Sequence, residues 1–156
     1  MANTSVQLEV EDWVREQWMP ANLGHVFSRK RLKLSCGGFF DFDAVCDSGP
    51  IAATISTSGA RTASGKNAVG KLLKIRSDIY FLLLAPVSRR LVVLTERDMF
   101  EQCCQERESG RVPDSIEFVL AEVPECLAAK LVQARAVASR EVTPARRAAG
   151  DMGVAE

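Results

Sequence analysis

Phe39-Phe-Asp-Phe-Asp-Ala-Val-Cys46, the turn Asp47-Ser-Gly-Pro50 and Ile51-Ala-Ala-Thr-Ile-Ser-Thr57 decide the fold of this chain. The first run alternates aromatic and acidic residues, the period of a strand with one buried face. Asp41, Asp43 and Val45 are therefore expected on one face, and Phe40, Phe42, Ala44 and Cys46 on the other. The second run is rich in β-branched residues and reads as a further strand. Upstream, Gly37-Gly38 favours a tight hairpin, so Arg31 to Cys36 is expected to pair with the Phe39 run and complete a three-stranded meander.

Outside the meander the periodicity changes. Val6, Val10, Trp13, Val14 and Trp18 recur at helical spacing, which predicts an amphipathic helix over residues 5–18 ended by Pro20, with both tryptophans on its apolar stripe. Ser64 is placed to cap a helix from Gly65 to Ser77, whose stripe Asn67, Lys71, Lys74 and Asp78 faces away from the apolar one. The continuous apolar runs Ile79 to Ala85 and Leu91 to Thr95 read as strands buried on both faces. A helix over 98–108, an edge strand over 116–122 and an Ala-rich helix over 125–140 follow. The element order αβββαββαβα predicts an α/β (α+β) domain over residues 1–142, a mixed central sheet flanked by helices, with a frayed tail over 143–156.

Composition narrows the chemistry. The chain has 156 residues, 47% apolar and 26% charged, enough for one domain with its own core. It has no apolar run of about 18 residues and no basic-then-apolar start, so no membrane contact and a cytoplasmic location are expected. Five cysteines without C-x-x-C spacing read as reduced structural thiols, and one histidine, His25, leaves little from which to build a zinc site. The formal net charge of zero conceals a division: residues 1–20 sum to −3, residues 21–76 to +6 and the remainder to −3. Arg29, Lys30, Arg31 and Lys33 form the densest basic cluster, and Arg61, Lys66 and Lys74 extend it. Such a patch suits a nucleic-acid backbone, and equally an ordinary solvated strand entry.

Two aspartates on one strand face invite a divalent ion, which stabilises charges that otherwise repel; the alternative is a solvated sheet face. The segment Gly59 to Asn67 fails as a phosphate-cradling P-loop. Five residues separate its glycines where four are required, and Asn67 stands in place of the hydroxyl.

The Phe40-Asp-Phe-Asp-Ala-Val-Cys46 strand, its turn and the Ile51 to Thr57 strand resemble the central hairpin of the restriction-endonuclease-like, PD-(D/E)xK superfamily, and the element order over residues 5–95 is similar to it. The resemblance implies a nuclease-like protein that acts on phosphodiesters with Mg²⁺ or Mn²⁺. Asp43 would be the first metal ligand, with Asp41 assisting. Thr54 and Ser56 occupy the positions of the second acid and the lysine, so the cation would come from Lys66, Lys71 or Lys74 and a further carboxylate from Glu9, Glu11 or Glu16, with Glu16 taken as the ligand. Nucleic acid, DNA foremost, is the implied partner. The alternative is a catalytically silent nuclease-fold module in a bacterial assembly, binding DNA or protein. Leu127, Leu131 and Val132 would then offer a face to a partner or a second copy of the chain.

Overall fold

The computed structural model describes the backbone of residues 4–142 and the side chains of 5–137; the tail expected over 143–156 lies outside the described residues. Helix α1 (Thr4–Trp13) runs into a π-helical segment (Val14–Trp18) and α2 (Met19–Leu23). Strands β1 (Phe27–Lys33), β2 (Phe39–Cys46) and β3 (Ile51–Ser56) follow, then α3 (Val69–Leu84), β4 (Arg89–Leu94), α4 (Arg97–Glu108), β5 (Ile116–Leu120) and α5 (Glu125–Val142). The strands form one mixed sheet in the order β1-β2-β3-β4-β5, antiparallel from β1 to β3 and parallel from β3 to β5.

The meander is present with shifted edges. β1 begins at Phe27 and ends at Lys33, and the chain reverses through a turn in which Gly37 takes φ 98°, a conformation open to glycine at little cost. Pro20 does not end the first helix. It sits in the first turn of α2, just after the π-helical segment, and the helix stops at Gly24 with φ 73°.

The largest correction concerns Ile79 to Ala85, which is not a strand. It is the second half of α3, a helix that starts at Val69 and not at Gly65, while Ser64 lies in a turn with its hydroxyl 3.0 Å from that of Thr62. Periodicity hid this because α3 is apolar on both sides. Ile75, Ile79 and Leu82 are buried, yet Val69, Leu73, Tyr80 and Leu83 are exposed. A helix apolar all round and a strand buried on both faces produce the same unbroken hydrophobic run.

Two cores sandwich the sheet. On one face Phe42, Val45, Ala52, Val92 and Leu94 pack against Ile75, Ile79 and Leu82 of α3 and Met99 and Cys103 of α4. On the other, Ala44, Cys46, Ala53, Ile55, Leu91 and Val93 pack against Val14 and Met19, with Trp13 and Trp18 at the margin. α5 rests on α1 through Leu127, Leu131 and Val10, not on the sheet, and Val132 is exposed. All five cysteines are free thiols; burial pushes that of Cys103 up to about 12, consistent with an inert core residue.

The helical assignment of 79–84 makes adjacent positions differ. Leu82→Ala, at a fully buried site, should cost about 2–5 kcal/mol, while Leu83→Ala should cost much less. Urea unfolding of the two variants checks this; equal losses at Leu82 and Leu83 would indicate the strand buried on both faces.

Candidate active site

The site forms where β2 leaves β3. The β2–β3 ladder comprises Val45↔Ala52 and Ala44↔Ala53. Beyond it, the Ile55 N–H is met not by a backbone carbonyl but by Asp43 Oδ2, at 2.8 Å. The register against β1 shows the cause: from Ser28↔Val45 to Lys30↔Phe42, β1 advances two residues and β2 three. This bulge breaks the alternation expected from the sequence, so that Phe40, Phe42 and Val45 share the α3 face while Ala44 and Cys46 share the other. Asp43 is thereby re-aimed toward β3.

Asp41 and Asp43 consequently part company. Asp41 lies at its cross-strand position opposite Arg31, whose Nε and Nη2 donate to its two oxygens at 2.9 and 3.2 Å, and its side chain is 69% exposed. The guanidinium hydrogen bond holds its carboxyl below the ordinary range. Asp41 is a surface ion-pair partner of Arg31, whereas the Asp43 carboxylate accepts from the Ile55 N–H.

Asp43 instead couples to groups from both layers. On α1, burial raises the Glu11 carboxyl above its usual range and the charge of Asp43 raises it further, while Arg29, Arg15 and Lys74 pull it back. On α3, burial likewise raises Asp78, with the Lys74 ammonium lowering it and Asp43 adding to the rise. Arg29 Nη2 donates to Glu11 at 3.3 Å, and Lys74 Nζ to Asp78 at 3.3 Å. Arg15, almost wholly buried, donates from Nε to the Asp43 carbonyl at 2.8 Å and from Nη1 to Asp12 at 2.7 Å. Its Nη2 and Thr54 Oγ1 are buried with no hydrogen-bond partner.

The remaining expected residues are scattered. Glu16 is exposed on the π-helical segment and is not among the charges that shift Glu11; the α1 carboxylate that feels the charge of Asp43 is Glu11. Lys66 is exposed in the turn whose backbone closes from Thr62 to Lys66 at 2.7 Å. Lys74 stands beside the carboxylates, and Lys71 lines a separate pocket with Arg61. Arg29, Lys30 and Arg31 line a groove of ≈ 350 Å³ that reaches Asp41 and Asp43; Lys33 is exposed at the end of the same strand. Asp78 is a site residue that the sequence reading does not single out, although its i,i+4 spacing from Lys74 is visible there.

Among the described residues no three His, Cys, Asp or Glu side chains are gathered to hold one ion. Asp43 and Glu11 are oxygen donors of the kind a hard divalent cation takes, and each is engaged by Arg15 or Arg29. Mg²⁺ needs only one or two carboxylates when water completes its shell. Comparison of the chain with protein-family models, with curated proteins and with solved structures gives no match.

Because the folded protein holds Glu11 and Asp78 above their unfolded values, it binds protons more readily than the unfolded chain there. Stability should fall as pH rises from the ordinary carboxylate range through the raised values. Glu11→Gln and Asp78→Asn should flatten this decline, read as denaturation midpoints between about pH 4 and 7. Thr54→Val removes a buried hydroxyl without a partner, and should stabilise the fold by about 1 kcal/mol in the same assay.

Proposed function

We propose that this protein is a restriction-endonuclease-like nucleic-acid phosphodiesterase that uses Mg²⁺ or Mn²⁺. The observation that carries the reading is the groove in which Asp43 lies with Arg29, Lys30 and Arg31, where Arg29 also holds Glu11 at 3.3 Å and Arg15 grips the Asp43 backbone at 2.8 Å. The electrostatic influence of Asp43 on Glu11 and Asp78 accords with it. Asp43 and Glu11 would hold the ion, which when bound lowers the pKa of coordinated water and polarises the phosphoryl oxygen. Lys74 supplies the cation near the phosphorus that neither Thr54 nor Ser56 can supply. In hydrolysis, the water oxygen bonds to phosphorus, one P–O ester bond breaks, and the leaving oxygen takes up a proton. The groove lined by Arg29, Lys30 and Arg31 leads along the β1 edge to Asp43 and gives the backbone a cationic track.

A second reading has its own support. Thr54 is buried in the position of the missing acid, Asp78 is already paired with Lys74, and the carboxylates number fewer than a two-ion centre needs. These features suit a catalytically silent module of the same architecture that binds nucleic acid through the β1 edge.

One set of measurements separates the two. Calorimetric titration with Mn²⁺ should show binding that disappears in Asp43→Asn, a variant whose amide oxygen still accepts from Ile55, and in Glu11→Gln. DNA or RNA cleavage in Mn²⁺ should disappear with it. Binding of DNA should weaken with salt, and Lys30→Ala with Lys33→Ala should reduce the slope of log K against log salt by about 1 for each phosphate no longer neutralised. DNA binding without Mn²⁺ heat or cleavage selects the silent module; absence of all three refutes both readings.

A further inference from the structure

A second cavity, of ≈ 370 Å³, opens against the loop of residues 57–68. Its walls come from α1 (Gln7), the loop of residues 57–68 (Ser58, Arg61, Thr62), α3 (Lys71) and α5 (Arg135), and among the described residues no acidic one lines it. Arg61 donates to the Gly65 carbonyl at 3.1 Å, which positions the guanidinium without neutralising it. Among the described residues Lys71 forms no ion pair. Arg135 is held by the Thr57 carbonyl and by Glu96 at 2.8 Å, so its charge is partly offset while its fork is fixed. The loop itself is anchored: Ala60 N–H donates to Asp98 at 3.1 Å, and Ala68 N–H to the Ala60 carbonyl at 2.9 Å.

The cavity is in step with the carboxylates. Gln7 precedes Glu11 by one turn on α1, and Lys71 precedes Lys74 by about one turn on α3, so both pairs share their helix faces. A ligand in the cavity lies roughly one helical turn, ~5.4 Å, along each helix from the groups around Asp43. Resting on the function proposed above, we infer that the cavity receives the terminal phosphate monoester of a nucleic-acid strand and sets the adjoining phosphodiester beside Asp43 and Glu11. A terminal monoester carries close to two negative charges and three acceptor oxygens at neutral pH. An internal diester carries one charge, so the two unneutralised cations and the fixed Arg135 fork match the chain end better.

The test compares three short single-stranded DNA probes, labelled at an internal base and carrying a 5′-phosphate, a 3′-phosphate or hydroxyls at both ends. Fluorescence anisotropy with the full chain, in EDTA to prevent cleavage, reads affinity. One phosphorylated end should bind about tenfold more tightly than the hydroxyl-ended probe. The advantage should vanish in the double variant Arg61→Ala, Lys71→Ala and survive in Lys71→Arg. Equal binding of all three probes overturns the recognition of chain ends while leaving the backbone contacts along β1 intact. Binding of none of them overturns both proposals. Should inorganic phosphate shift the amide resonances of residues 57–68 while no probe binds, a nucleic-acid origin for the phosphate is excluded.

Discussion

The arrangement of this protein turns on one hydrogen bond, from the Ile55 N–H to the Asp43 carboxylate. A central strand whose neighbour peels away leaves backbone donors that must find other partners, and a buried N–H left without one costs about 1–3 kcal/mol. The bulge in β2 supplies that partner by turning a side chain into the ladder. A charged acceptor makes the bond stronger than the carbonyl it replaces. The same event puts a carboxylate in the middle of a sheet that is covered on both faces.

That placement explains the charges around it. At the end of the β2–β3 ladder the charge of Asp43 is felt on both sides of the sheet. It raises the Glu11 carboxyl on α1 and the Asp78 carboxyl on α3, each already raised by burial. Three partly buried carboxylates would be costly alone, and Arg29, Arg15 and Lys74 offset them through ion pairs and longer-range attraction. Arg15 also grips the backbone of Asp43, so the bulge and the charge balance are fastened by one side chain.

Much of the fold could be read in advance where local chemistry and tertiary structure agreed. The meander followed from alternation and Gly37-Gly38, and the helix over α4 and the edge strand β5 from their own periodicities. The second half of α3 could not be read, because its outward residues Leu73, Tyr80 and Leu83 are as apolar as its buried ones. The site was legible only in part. Asp43 and Lys74 stood in the right stretches of sequence, but the extra residue in β2 is a register feature with no Gly or Pro to announce it. Without that bulge, Asp41 looks like the partner of Asp43. Glu11 and Glu16 are likewise hard to separate by helical spacing alone, since the π-helical segment beginning at Val14 rotates everything beyond it.

Thr54 gives the clearest view of the balance between stability and chemistry. Extending the pairing of Ala44 with Ala53 by one step would set Thr54 opposite Asp43, and its hydroxyl is buried without a partner while Asp43 bonds the next residue instead. A valine would fill the same volume without an orphaned hydroxyl, so folding alone gives no reason for threonine there. A hydroxyl beside a carboxylate does have a use when a hydrated cation or a phosphate oxygen sits between the strands, because it can then donate to the bound group. A carboxylate at that position would hold an ion more tightly but would add a further buried negative charge to Asp43, Glu11 and Asp78, with only the existing cations to offset it. Under the proposed function, Thr54 would thus be a weaker ligand where a stronger one would cost the fold, and the cation would fall to Lys74 on α3.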